Sequence, residues 1–126
     1  MAAPTILVVE DDELMRELFR MHLSYAGYDV FLAEDAVVAG HLLFKQRPDL
    51  ILADIEMPFM DGLEFVEALK GDALLASIPV IFVSSRSDFE ARCKEIGALE
   101  FLKKPVLASQ LLSAVAKHVD GGRVPL

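Results

Sequence analysis

Residues 5–12 read TILVVEDD, an apolar run that ends abruptly on carboxylates. Three further apolar runs also end on polar side chains: LILA (50–53) before Asp54, VIFV (80–83) before Ser84 and Ser85, and Leu99–Leu102 before Lys103 and Lys104. Runs without polar alternation are typical of strands buried on both faces, as in a parallel sheet covered by helices. The sequence therefore predicts an α/β fold with a parallel sheet.

The polar groups that follow these runs should meet, because ligands of such sheets bind beyond the carboxyl ends of the strands. Glu10, Asp11 and Asp54 would then form a cluster of like charges. At ~4 Å and an effective dielectric of ~20, each pair repels by about 4 kcal/mol. A hard divalent cation with oxygen ligands relieves that repulsion, and Mg²⁺ suits one or two carboxylates plus water and phosphate oxygens. We expect Mg²⁺ here, with Mn²⁺ as a substitute.

Asp54 is the candidate nucleophile, since it stands alone at the tip of the central apolar run. The turn that follows, with Met57-Pro58 and Asp61-Gly62, should close a loop over it. A carboxylate flanked by a metal, the ammonium of Lys104 and the hydroxyl of Ser84 is arranged to attack a phosphoryl group and hold its oxygens. The predicted product is an aspartyl phosphate.

Helical signals alternate with the strands. Asp12 is better interpreted as a helix cap than as a metal ligand. We predict a first helix from Asp12 to Gly27 with Met15, Leu18, Phe19 and His22 on its apolar face, and then a strand at Asp29–Glu34. A helix capped by Asp35 should stop before Pro48, and further helices are predicted at about Leu63–Lys70 and at Ala108–Val119. Between those two, a Ser87–Glu90 capping box should open a helix that has Phe89, Cys93 and Ile96 as its apolar stripe and ends at Gly97.

Length and composition bound the function. A chain of 126 residues with 54% hydrophobic residues fits one domain (1–126), with a frayed tail at about 120–126. A net charge of −8 and no basic run beyond Lys103-Lys104 argue against a nucleic-acid partner or a DNA-binding output domain. We expect neither a signal peptide nor a membrane span, and hence a cytoplasmic protein. Cys93 alone excludes an internal disulfide.

Four segments carry a resemblance: ILVVEDD (6–12), LILADIEMP (50–58) with MDG (60–62), VIFVSS (80–85) and GALEFLKKP (97–105). Together and in this order they resemble the receiver domain of two-component response regulators over nearly the whole chain. The resemblance implies a flavodoxin-like, doubly wound five-stranded parallel sheet in the order 2-1-3-4-5, with helices on both faces.

The resemblance also implies a role for each site residue. Asp54 would be the phosphoacceptor, Ser84 would hydrogen-bond the phosphoryl group and Lys104 would pair with it. Asp11 would bind the metal directly, Glu10 through water and Glu56 through its backbone carbonyl. Phe101 would be the aromatic that rotates with Ser84 in the switch, and Pro105 would follow a cis peptide bond. Lys103 is interpreted as a solvated neighbour.

Four positions depart from the commonest family pattern, one of them Ser85, where a small Ala is common. Glu10 replaces an Asp and Ser84 replaces a Thr, and both keep the chemistry. Val106 stands where Phe is usual, which makes the end of that strand a weaker match. His22, His41 and His118 lack metal-ligand spacing and are interpreted as packing or surface residues.

Three functions remain open from the sequence. The leading one is a signalling switch that takes a phosphoryl group from a histidine kinase or a phosphotransfer protein and catalyses only its own phosphorylation and dephosphorylation. A phosphohydrolase with an aspartyl-phosphate intermediate is second, although it usually has an acid pattern of Asp-x-Asp and here Glu56 takes the second place. A pseudo-receiver that binds partners without phosphorylation is third, and the set Asp11, Asp54, Ser84 and Lys104 speaks against it.

The output of the leading function would be protein binding through the fourth helix, fifth strand and fifth helix. One class of regulators dimerises through charged residues of that face. This chain has Leu99 where that class has an acid and Ala114 where it has Arg. We therefore expect a monomer, or a dimer built differently.

Overall fold

A computed structural model describes residues 3–119 of the chain. Strands and helices alternate along it, as predicted. The elements are β1 (Thr5–Val9), α1 (Glu13–Tyr25), β2 (Asp29–Ala33), α2 (Ala36–Lys45), β3 (Leu50–Asp54), α3 (Gly62–Lys70), β4 (Val80–Ser84), a short 3₁₀ turn (Ser87–Phe89), α4 (Glu90–Ile96), β5 (Glu100–Lys103) and α5 (Ala108–Val119). The predicted tail at about 120–126 lies outside the described residues.

The five strands form one parallel sheet in the order β2-β1-β3-β4-β5, which confirms the fold implied by the resemblance. Every residue of β3 and β4 is buried, and so are four of the five residues of β1. The fourth apolar run, Leu99–Leu102, was wrongly expected to be buried on both faces. Leu99 precedes β5 and is half-exposed, and β5 is only partly buried because it is an edge strand.

Helices cover both faces of the sheet. Helices α2, α3 and α4 pack on one face and α1 and α5 on the other, so that the core has two layers. Successive residues of a strand point to opposite faces. In β1, Leu7 and Val9 therefore join the first layer while Ile6 and Val8 join the second. Cys93 is buried in the first layer, as its place on the predicted apolar stripe of α4 required.

Two of the predicted helix starts are confirmed. The Asp12 side chain accepts the Met15 N–H at 3.0 Å, and the Asp35 side chain accepts the Val38 N–H at 2.9 Å. The side-chain oxygens thus satisfy backbone donors that have no partner within the first turn.

The capping box predicted at Ser87 and Glu90 is wrong. Residues Ser87–Phe89 form a 3₁₀ turn, so α4 begins at Glu90 and no side chain caps it. A capping box occurs instead at the start of α3. There the Asp61 side chain accepts the Glu64 N–H, and the Glu64 side chain accepts the Asp61 N–H.

The apolar face predicted for α1 is partly wrong. Phe19 is buried as expected, but Leu23 is the other buried residue of this helix and Leu18 is exposed. The helix contacts β1, β2 and α5, and only a narrow stripe of its surface reaches the second core layer. Other apolar side chains of α1 point to solvent, among them Tyr25, which is 94% exposed.

No helix within residues 3–119 has the length and apolar character that a bilayer crossing requires.

Gly62 closes the loop that follows β3. Its N–H donates to the Ile55 carbonyl at 2.8 Å, which brings the start of α3 against the end of β3. A Cβ atom at this position would lie 2.2 Å from the Asp54 carbonyl oxygen and 2.9 Å from the Ile55 Cα. The position therefore requires glycine because of close backbone approach.

We predict that Gly62→Ala lowers the free energy of unfolding by at least about 2 kcal/mol, because backbone rather than a flexible side chain must move. Urea unfolding of both proteins measures this. Gly71→Ala is the matched control, since a Cβ there meets only ordinary contacts at 3.5 and 3.9 Å. Equal stability of the two variants would contradict the close approach.

Candidate functional site

The ends of β1 and β3 bring three carboxylates together, as predicted. Side-chain oxygens of Glu10, Asp11 and Asp54 all lie within 4.8 Å of one another. Glu10 and Asp54 are almost completely buried, whereas Asp11 is exposed. Two carboxylates of the cluster are therefore inside the protein, and the third is in contact with solvent.

Lys104 supplies the positive charge of the cluster. Its Nζ lies 2.8 Å from Glu10 Oε1 and 3.4 Å from Asp54 Oδ2. The Lys104 N–H donates to the Ser84 carbonyl at 2.8 Å, which continues the β4–β5 ladder and fixes the lysine backbone. The Lys104–Pro105 peptide bond is cis, as the resemblance implied.

The surroundings of Asp54 and Lys104 change the pKa values of both side chains. Burial, followed by the nearby charge of Glu10, raises the pKa of the Asp54 carboxyl to about 8, although Lys104 partly offsets both. Burial alone would lower the pKa of Lys104, but its hydrogen bond to Glu10 and the charges of Asp54 and Glu10 outweigh this and raise the pKa. Ionisation of Asp54 in this site is therefore unfavourable.

Ser84 is fully buried at the end of β4, the strand that pairs with β3 beside Asp54. Its Oγ donates to Glu56 Oε1 at 2.9 Å and accepts the Arg86 N–H at 3.0 Å. The exposed Ser85 hydroxyl donates to the same Glu56 oxygen at 3.4 Å. One carboxylate oxygen of Glu56 therefore accepts both hydroxyls. Sequence reasoning did not predict these contacts of the Glu56 side chain with the two serine hydroxyls.

Arg16 is a second contact that sequence reasoning missed. Its Nη1 donates to the Glu10 carbonyl at 3.0 Å and, at 3.4 Å, to the Asp11 carbonyl. The guanidinium thereby ties α1 to the two acidic residues after β1. Arg16 lies outside the apolar face predicted for α1, and its place one helical turn after Asp12 was the only available signal.

Phe101 lies on β5 beside Phe82 of β4 and is only partly buried, packed against the first core layer. Its ring is therefore already partly withdrawn from solvent. Arg86 pairs with Asp88 at 2.6 Å and lies 4.7 Å from the centre of the Phe89 ring.

Other residues lie away from the cluster. Lys103 is exposed. His118 contacts Glu100 at 2.5 Å. None of His22, His41 and His118 belongs to a group of possible metal ligands among residues 3–119.

The residues present fit a hard divalent cation. Glu10, Asp11 and Asp54 offer oxygen donors within reach of one another, and these are the ligands that Mg²⁺ and Ca²⁺ prefer. The cluster sets three carboxylates against the ammonium of Lys104. Asp11 is exposed, so an ion can approach the cluster from that side.

Comparison with known proteins places the chain in a family. Residues 6–116 match the model of the response regulator receiver domain. The chain therefore belongs to the response regulator receiver domain family. Members of this family are signalling switches rather than enzymes that turn over an external substrate, and phosphorylation and Mg²⁺ are typical of them.

Three similar proteins illustrate the match. The response regulator MprA of Mycobacterium tuberculosis is 37% identical over 110 residues, which are 86% of this chain and 47% of that protein. The signal receiver domain of a histidine kinase from Syntrophus aciditrophicus is 34% identical, with a TM-score of 0.87 over 98% of this chain and 96% of that one. The receiver domain of the sensor histidine kinase PA1611 from Pseudomonas aeruginosa was solved with a magnesium ion in its active site cleft. It is 25% identical, with a TM-score of 0.85 over 94% of this chain and 99% of that one.

The chain spans about half the length of the curated relatives it matches. What those whole proteins do is therefore not carried over to these 126 residues.

We predict that Asp54→Asn raises the free energy of unfolding by about 1–3 kcal/mol at pH 7 in buffer with a chelator, because the buried Asp54 carboxyl must either ionise beside Glu10 or take up a proton on folding, and Asn does neither. Asn keeps an acceptor for the Glu56 N–H, which donates to Asp54 at 3.3 Å. A carboxyl whose pKa is raised above 3.8 on folding lowers stability as the pH rises above that value, so the gain should shrink at pH 5.

Asp29→Asn is the control for this measurement, since Asp29 is an exposed residue of β2. Its unfolding free energy should stay within about 0.5 kcal/mol of the wild type. A loss of stability in Asp54→Asn would show that the cluster is not repulsive.

Proposed function

We propose that this chain is a phosphoacceptor switch in which Asp54 takes a phosphoryl group from a phosphohistidine. The observation that carries the proposal is the surroundings of Asp54: a buried carboxylate with an ammonium at 3.4 Å, two further acids within 4.8 Å and a buried hydroxyl at the end of the neighbouring strand. Membership of the receiver family supports the same assignment.

The proposed step is a transfer between two residues. A carboxylate oxygen of Asp54 attacks the phosphorus of the donor, a P–O bond forms, and the N–P bond of the phosphohistidine breaks. The imidazole leaves with the electron pair and takes up a proton from solvent. Lys104 Nζ holds charge that develops on the phosphoryl oxygens, and Ser84 donates a hydrogen bond to one of them. Hydrolysis later returns Asp54 and inorganic phosphate.

Asp11 and Asp54 would hold Mg²⁺ directly, Glu10 through water and Glu56 through its carbonyl, with Mn²⁺ as a substitute. When bound, the ion supplies positive charge that stabilises ionised Asp54 and the transferring phosphoryl oxygens. The related PA1611 receiver domain contains magnesium in its active site cleft, which supports this assignment.

The switch starts from the Ser84 hydroxyl. In the absence of a phosphoryl group this hydroxyl donates to Glu56. A phosphoryl oxygen is a charge-assisted acceptor, and such hydrogen bonds are roughly twice as strong as neutral ones. Since the phosphoryl group also repels the Glu56 carboxylate, Ser84 turns toward Asp54. The space beside β4 then admits Phe101 more deeply, and the surface around α4, β5 and α5 changes for a downstream protein.

The proposed partners are a histidine kinase or phosphotransfer protein as donor and a protein target as receiver of the signal, in the cytoplasm. Two alternative functions differ from this one in simple assays. A phosphohydrolase would turn over small phosphomonoesters, and a pseudo-receiver would accept no phosphoryl group.

Phosphorylation by acetyl phosphate tests the assignment. We expect the wild type to gain one phosphoryl group in the presence of Mg²⁺ and Asp54→Asn to gain none, because the nucleophile is gone. Asp11→Ala should react at least about tenfold more slowly at the same Mg²⁺ concentration, since a metal ligand is lost. Mass spectrometry of the intact protein over time measures all three.

Asp29→Asn serves again as control and should react at the wild-type rate. Phosphorylation of Asp54→Asn would refute the phosphoacceptor assignment. If Asp11→Ala reacted at the wild-type rate, the metal assignment alone would be wrong.

A second experiment follows the switch with beryllofluoride, a mimic of the phosphoryl group. We expect backbone amide shifts at residues 86–101 in the wild type, and much smaller shifts there in Ser84→Ala, because the hydroxyl that links Asp54 to β4 is missing. Ser24→Ala, at an exposed position of α1, should behave as the wild type. Shifts confined to the loops around Asp54 would overturn this route.

A further inference from the structure

Helix α2 exposes apolar side chains on the side that faces away from the sheet. The exposed apolar residues are Val37, at 57%, and Phe44, at 92%, and the exposed polar residue His41 lies between them on the same side. The opposite side of the same helix is buried, through Ala39 and Leu43 among others. A helix that is apolar on both sides is typical of one buried on both sides. Nothing within residues 3–119 covers the outer side of α2.

A cavity of about 310 Å³ opens beside Phe44. It lies between α2, the end of α3 and the turn after α3, and its lining is largely apolar: Gly40, Leu43, Phe44, Leu69, Asp72, Leu74 and Leu75. An apolar cavity of about 150 Å³ is enough to bind benzene. A phenyl ring from outside therefore fits, and the exposed Phe44 of the same surface is such a ring. Leu74, at the mouth, is 80% exposed.

Gly40 stands in the middle of α2, where glycine is less favourable than any residue except proline. No atom lies within 4 Å of the position its Cβ would take, so the packing of this chain does not require glycine there. A second backbone or an aromatic ring could approach α2 closely at this point.

This surface carries one residue of each charge, so the surfaces of two copies can match each other in charge. Lys45 follows Phe44 directly, and Asp72 lines the cavity. Among residues 3–119 neither takes part in an ion pair. A ring of Phe44 that entered a neighbouring cavity would carry Lys45 toward the Asp72 of that neighbour. This local match opposes the repulsion between two chains that each carry a net charge of −8.

A two-fold interface places the same patch of each copy against the other, so the patch must carry both a projection and the hollow that receives it. We propose that α2 and the adjoining cavity form such an interface between two copies of this chain, with the Phe44 ring of each copy in the cavity beside Gly40 of the other. Helix α2 and α3 run back from the carboxyl edge of the sheet, so the interface lies at the end opposite Asp54 and leaves both phosphoacceptors open.

Sedimentation velocity from about 5 µM to 1 mM tests the interface. Two copies that each carry a net charge of −8 repel each other, so we expect a weak dimer with a Kd on the order of 10–100 µM. Phe44→Gln should weaken it at least tenfold, because the ring no longer fills the cavity. Lys45→Glu should also weaken it, and Lys45→Glu combined with Asp72→Lys should restore association.

Tyr25→Gln is the matched control, since Tyr25 is an equally exposed aromatic residue at the end of α1. It should associate as the wild type does, and circular dichroism should show that all variants are folded. A wild type that stays monomeric at 1 mM overturns the proposal. A dimer whose affinity Phe44→Gln leaves unchanged also overturns it. So does a dimer that Tyr25→Gln abolishes.

Discussion

The contact of Lys104 with Glu10 and Asp54 is the constraint on which the site depends. Two buried carboxylates at the ends of β1 and β3 are tolerable only because one ammonium reaches both, at 2.8 and 3.4 Å. Lys104 follows β5 at the edge of the sheet, and β4 lies between β5 and β3. The lysine side chain therefore reaches across the end of β4 to the two carboxylates.

The fold was largely predictable because its signals are local. Apolar runs buried on both faces define β1, β3 and β4, and Asp12 and Asp35 cap helices where the sequence placed them. The errors arose where tertiary contacts decide. Whether Ser87 opens an α-helix or a 3₁₀ turn depends on how the chain leaves β4. Which side of α1 is buried depends on the narrow groove that the sheet and α5 offer it.

The candidate site was also predictable only in part. The meeting of Glu10, Asp11 and Asp54 follows from the ends of parallel strands and needs no knowledge of side-chain conformation. The contacts of Glu56 with the serine hydroxyls and of Arg16 with the Glu10 carbonyl could not be predicted. They join residues of different elements through flexible side chains, and neither residue type at these positions specifies a partner.

The backbone hydrogen bond from the Lys104 N–H to the Ser84 carbonyl has a mechanical consequence. It joins the ends of β4 and β5 at the point where the hydroxyl and the ammonium begin. Neither backbone can shift along its strand without carrying the other, so the sheet sets the separation of the two residues' Cα atoms. A signal that leaves through Ser84 must therefore travel by rotation of a side chain or by displacement of the β4–α4 loop, while the sheet itself remains a rigid reference frame.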